Sequence, residues 1–166
     1  MLGEFEIFPF TAREEGEMLL RIVLAAIAGG LIGFERRHSA APAGIRTLAL
    51  VAMGSGTFTV ISIFAFSTID GEFVRDPARI AAQVATGIGF IGAGTIIRSG
   101  TSVRGLTTAT GIWVAAALGM AAGSGLYVLT VGGTVLVVVI LAFFPRKPGN
   151  NGDLAEEEED EEGVQL

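Results

Sequence analysis

Residues 126–144 read LYVLTVGGTVLVVVILAFF, nineteen positions without a charged side chain. At about 1.5 Å per residue a helix of this length approaches the ~30 Å hydrocarbon core of a bilayer. Toward the N-terminus, four more apolar stretches run approximately over Glu17–Phe34, Ile45–Phe66, Ile80–Ile97 and Leu106–Ala122. Each is close to the roughly 17–25 residues that cross a membrane as helix. The division between the last two stretches rests on Gly123, Ser124 and Gly125 alone, which predicts a tight helical hairpin. The expected fold is therefore an all-α integral membrane protein, a bundle of about five transmembrane helices. It divides into an extracytoplasmic segment over 1–16, a transmembrane domain over 17–144 and a disordered acidic cytoplasmic tail over 145–166.

Composition agrees with this class. Apolar residues make up 51% of the chain and charged ones 17%, and the mean hydropathy is +0.62, above what a solvated globular surface permits. The 24 glycines are roughly twice the usual share, without a collagen period or Ser-rich linker, and close helix packing accounts for them. The net charge of −6 comes from the tail, where Asp153, Glu156 to Glu159, Asp160, Glu161 and Glu162 lie. It says nothing about the membrane body, and no basic stripe with interleaved aromatics points to nucleic acid. With no cysteine and one histidine, His38, disulfides, thiolate catalysis and a His- or Cys-based metal site are not expected, nor is any cofactor. The acidic N-terminal residues Glu4, Glu6, Glu14, Glu15 and Glu17 do not resemble a cleavable signal, so the first span is expected to be retained.

Basic residues orient the bundle. Arg36, Arg37, Arg46, Arg98, Arg104, Arg146 and Lys147 follow the odd-numbered spans, against Arg13, Arg75 and Arg79 on the other side. The positive-inside rule places the first group in the cytoplasm, with the N-terminus outside and the C-terminus inside. In span one, Arg21 is expected to snorkel outward and to pair with Glu17 one turn earlier.

Small residues recur every four positions: Ala25, Gly29 and Gly33; Ala81, Ala85, Gly89 and Ala93; Gly111, Ala115, Gly119 and Gly123. In lipid, where helices gain no hydrophobic drive from meeting, such stripes permit backbones to approach. Gly29, Gly33, Gly89, Gly111 and Gly119 are accordingly the packing candidates. Gly87, Gly89 and Gly92 spell G-x-G-x-x-G, but no strand precedes them and position 109 is alanine, so a dinucleotide site is not predicted.

Ionisable groups at span ends are the functional candidates, since polar groups at membrane depth are costly; interfacial anchoring is the alternative for each. They are Glu35 with Arg36, Arg46 with Thr47, Asp76 with Arg79 and Gln83, and Arg98 with Arg104. Gln83, a turn inside its span, is expected to form an interhelical hydrogen bond. Asp76 before Pro77 can act as a helix N-cap or through its charge. No Ser-His-Asp, H-E-x-x-H or P-loop pattern occurs, and no enzyme activity is expected.

The residues also carry a family resemblance. Gly33-Phe34-Glu35-Arg36 and Ala43-Gly44-Ile45-Arg46-Thr47, then Asp76-Pro77-Ala78-Arg79-Ile80-Ala81-Ala82-Gln83-Val84, Gly87-Ile88-Gly89-Phe90-Ile91-Gly92-Ala93-Gly94 and Val103-Arg104-Gly105-Leu106-Thr107-Thr108-Ala109 before Trp113 resemble the MgtC/SapB membrane domain. The blocks occur in family order over about Met18 to Tyr127 and are specific together. The resemblance adds Thr107 and Thr108 to the candidates and implies a five-helix inner-membrane domain associated with growth at low magnesium and with virulence. Two departures stand out. Residues 145–166 are far too short for the soluble domain that several members carry, and Val114 follows Trp113 where some relatives place a cysteine. Two functions follow from the resemblance: a non-enzymatic regulator of magnesium or phosphate homeostasis, with F-type ATP synthase or phosphate-sensing machinery as partners and a homo-oligomer possible, or a Mg²⁺ or other ion transporter or channel. Magnesium binds carboxylates and retained waters in octahedral array, and Asp and Glu fall only at the ends of the predicted spans.

Overall fold

The computed structural model describes residues 10–37, 42–65, 78–100 and 102–144. Its elements are α1 (Ala12–Arg36), α2 (Ile45–Val60, continued by one π-helical turn over Ile61–Ala65), α3 (Ala78–Ala93), the strands β1 (Ile97–Ser99) and β2 (Ser102–Arg104), α4 (Leu106–Gly123) and α5 (Tyr127–Phe143). The fold is all-α, as expected of a membrane bundle, with one short hairpin. Among the described residues, three helices are long and apolar enough to cross a membrane: Ala12–Arg36, Ile45–Phe64 and Leu106–Gly123. The described lengths of α3 and α5 are 16 and 17 residues, roughly 24–26 Å of helix against a ~30 Å core.

Local chemistry sets the boundaries. Helix α1 begins at Ala12, five residues before the predicted Glu17, because Thr11 and Glu14 form a capping box. The Glu14 carboxylate accepts from the Thr11 backbone N–H at 2.8 Å and the Thr11 hydroxyl accepts from the Glu14 N–H at 3.4 Å. These first turns are charged, so an apolar window overlooks them. At its other end, α3 stops at Ala93 rather than reaching Ile97. There the Thr95 hydroxyl donates to the Gly92 carbonyl at 2.7 Å, the Ile96 N–H bonds Ala93 at 3.0 Å, and the chain turns into an antiparallel pair with Ile97 opposite Arg104 and Ser99 opposite Ser102. The α4–α5 turn is a Schellman motif. Leu126 N–H bonds the Ala121 carbonyl and Gly125 N–H the Ala122 carbonyl, both at 2.9 Å, with Gly125 at φ +78°.

Helix α4 is the centre and touches the four other described helices. It runs parallel to α2 and antiparallel to α1, and Ile32, Leu48 and Ile112, one from each, are the largest fully buried side chains. Small residues bring the backbones together. A Cβ on Gly29 would strike the Leu48 carbonyl oxygen, one on Gly33 would lie 2.6 Å from Ile45 Cα, and one on Gly119 would strike the Ala52 carbonyl oxygen. Gly123 faces Gly56 in the same seam. Helices α3 and α5 flank this three-helix core and expose large apolar groups: Phe90 is 84% exposed and Val128 89%, which suits contact with lipid.

Candidate functional site

Two ends and one groove hold the chemistry. Close contact of Gly33 with Ile45 brings the end of α1 beside the start of α2, and the collision a Cβ on Gly105 would make with the Thr95 carbonyl fixes the hairpin at the α3–α4 junction. Up-and-down topology therefore gathers Arg36, Arg37, Arg46, Arg98 and Arg104 at one end of the bundle. Arg46, Thr47 and Arg104 are exposed; Glu35, Arg36 and Thr107 are half-buried, and Thr108 is buried. One Glu35 carboxylate oxygen, Oε2, is buried without a hydrogen-bond partner among the described residues. Arg98 Nε donates to the Gly100 carbonyl at 3.2 Å, holding the hairpin turn.

The opposite end is organised by Arg21. Its side chain is 14% exposed, paired with Glu17, donates to the Gly123 carbonyl at 3.2 Å and lies 5.2 Å from the centre of the Phe64 ring. The expected pair with Glu17 one turn earlier is present, and the same guanidinium also caps the C-terminal carbonyl end of α4. The sequence marked Arg21 as unusual through its short apolar flank, but that carbonyl lies 102 positions away and no local pattern names it.

Arg79 and Gln83 are exposed on α3, while Asp76 and Pro77 lie outside the described residues. Among the described residues Gln83 makes no interhelical hydrogen bond. Its amide stands at the rim of a groove because α3 leans on α4 and meets α2 only lightly. That groove, about 640 Å³, is walled by Leu50, Val51, Gly54, Ser55 and Phe58 of α2. Ile80, Gln83, Val84, Gly87, Ile88 and Ile91 of α3 form its other wall. The Ser55 hydroxyl donates to its own helix, to Val51 at 2.9 Å, so the walls are almost wholly apolar.

Of the packing candidates, Gly29, Gly33 and Gly119 sit at backbone contacts, whereas Gly89 is exposed and a Cβ on it or on the buried Gly111 would meet nothing within 4 Å. Among the described residues Gly89 therefore packs against no other helix, and Gly111 lies beside slack in the core. Gly87, Gly89 and Gly92 are all helical, without the strand-to-helix turn a dinucleotide site needs. Gly56, where an added Cβ would lie 3.0 Å from the Gly119 carbonyl oxygen, is absent from the packing candidates, though its four-residue spacing from Ala52 could have found it. The buried hydroxyls Thr130 and Thr134 donate within α5 at 3.0 and 2.7 Å. Among the described residues no three His, Cys, Asp or Glu side chains come together.

A sequence model of the MgtC family matches residues 22–147. YhiD of Escherichia coli (strain K12), which carries a provisional designation as a magnesium transporter, is 47% identical over 130 residues, 77% of this chain and 60% of YhiD. Protein MgtC of Brucella abortus (strain 2308) is 45% identical over 118 residues, 71% of this chain and 47% of that protein. An uncharacterised Synechocystis protein is 38% identical over 126 residues, 76% of this chain and 51% of its own length. The chain thus spans about half to three fifths of the length of these three relatives. No solved structure matches it.

Proposed function

Because the chain belongs to the MgtC family, we propose that it is a non-enzymatic membrane regulator linked to magnesium or phosphate homeostasis, acting through contact of its helices with other membrane proteins. The observation that carries this reading is the outer face of α3. Ala82, Thr86, Gly89 and Ala93 recur at spacings of four, three and four, all exposed, and on the side away from the groove. A Cβ on Gly89 has no neighbour within 4 Å, so a second protein's helix can come close there without displacing anything. The F-type ATP synthase and phosphate-sensing machinery are the partners the family resemblance implies, in the cell membrane with the N-terminus outside, in a family associated with virulence.

Gly89→Leu tests the reading. It should express and fold as the wild type, yet lose co-isolated membrane proteins and fail to support growth in low-magnesium medium. Full complementation by this variant would sink the docking face. The second reading, magnesium transport, draws on the designation of YhiD at 47% identity. Dye-detected Mg²⁺ flux into proteoliposomes above that of empty vesicles would favour transport over regulation.

A further inference from the structure

We infer that the groove between α2 and α3 is a binding site for one acyl chain of an anionic phospholipid, whose phosphate is held by Arg46 and Thr47 at the basic end of the bundle. The groove is about 640 Å³, in the range of pockets that hold small ligands. Its walls are hydrocarbon except for Gln83 and the internally bonded Ser55. It opens sideways, with Leu50 61%, Phe58 55% and Ile91 48% exposed at its rim, and the surroundings of this face are the bilayer itself. An acyl chain can enter laterally without crossing a polar barrier.

Charge selects the head group. Leu50, Gly54 and Phe58 form one row along α2 at four-residue spacing, and Arg46 is the preceding member of that row. Thr47 lies one turn before Val51, another wall residue. Both side chains are exposed. Helix α2 starts at this point with Gly44 as N-cap, no side-chain cap and no acidic residue in the first turn, so the positive end of its dipole adds to the guanidinium. Arg36 and Arg37 lie nearby through the Gly33–Ile45 contact, and the acid that faces this end from α1, Glu35, is half-buried. A phosphate at the bilayer surface meets donors here while its chain lies in the groove below.

The site is distinct from the outer face of α3, and its test does not depend on the regulatory reading. Native mass spectrometry of detergent-solubilised protein with added phosphatidylglycerol or phosphatidylcholine reads both parts. The wild type should retain phosphatidylglycerol preferentially. Gly87→Leu, whose Cβ meets nothing within 4 Å and whose side chain fills the groove, should lose both lipids. Arg46→Gln should keep a lipid but lose about tenfold of the preference, and Leu136→Ala, exposed on α5 away from the groove, should retain lipid as the wild type does. If Gly87→Leu is poorly folded by circular dichroism, the surface substitution Arg46→Gln carries the test. Unchanged lipid retention in Gly87→Leu, unchanged preference in Arg46→Gln, or a lipid-free dimer that Gly87→Leu splits, showing a second copy in the groove, would each overturn the proposal.

Discussion

Glycines that look alike in one stripe have opposite consequences once their neighbours are known. On α4, a Cβ at position 119 collides with the Ala52 backbone, which cannot rotate away, while one at 111 meets open space. Gly119→Ala should therefore destabilise by about 1–3 kcal/mol through overpacking. Gly111→Ala should be neutral or stabilise by up to about 1 kcal/mol through helix propensity. Thermal denaturation in detergent compares the two, and equal shifts would remove the α2–α4 contact as the cause. Gly105 combines φ +89° with contact against Thr95; its substitution incurs left-handed strain of about 1–2 kcal/mol in addition to the clash. Arg21 is the residue that joins distant parts. Arg21→Met retains length but leaves the Gly123 carbonyl and Glu17 without their donor, and should lower stability by about 1.5–3 kcal/mol, the range for hydrogen bonds to charged groups. A melting temperature equal to wild type would return Arg21 to the role of a surface anchor.

Among the elements, α3 decides where both proposed binding faces lie, and its placement has a direct chemical test. A Cβ on Gly92 lies 3.7 Å from the Ala109 Cβ, within the roughly 3.5–4.5 Å that a disulfide spans. The chain has no cysteine of its own, so Gly92→Cys with Ala109→Cys should cross-link α3 to α4 under mild oxidation. Ile91→Cys with Ala109→Cys should not, since Ile91, one position earlier at almost the same height, lines the groove. Cross-linking of the second pair in place of the first would mean that α3 is rotated about its axis and that other residues line the groove. The hairpin after α3 was unreadable as strand for a physical reason. Its segments are three residues each, too short for alternation to register, and Ile96 and Ile97 extend the apolar run of the preceding helix.

For the molecule as a whole, the described basic residues of the turns collect at the end that carries the hairpin, which the positive-inside rule assigns to the cytoplasm. Ser102 in β2 and Ser124 after α4 are both exposed and lie at opposite ends. Ser124→Cys in intact cells should react with an impermeant thiol reagent and Ser102→Cys should be protected until the membrane is opened. The reverse pattern would invert the topology and move the lipid head-group site to the outer leaflet.

The apolar runs, the turns between them and the asymmetry of Arg and Lys depend on composition along the chain, and so the sequence alone determined that this is an all-α membrane protein and which groups share an end. The family was legible too, because its motifs are local strings such as Asp76-Pro77-Ala78-Arg79. What only the tertiary structure decided is which small residue touches which backbone. Gly29, Gly33 and Gly119 lie at seams while Gly89 faces outward, although all obey the same four-residue period. In a bilayer every face of a helix can be apolar, so hydrophobicity no longer distinguishes the buried side from the lipid side. The rotation of α3, the bond from Arg21 to the Gly123 carbonyl and the groove beside Gln83 follow from how the described helices fit together, a property of their joint shape that no single stretch of chain contains.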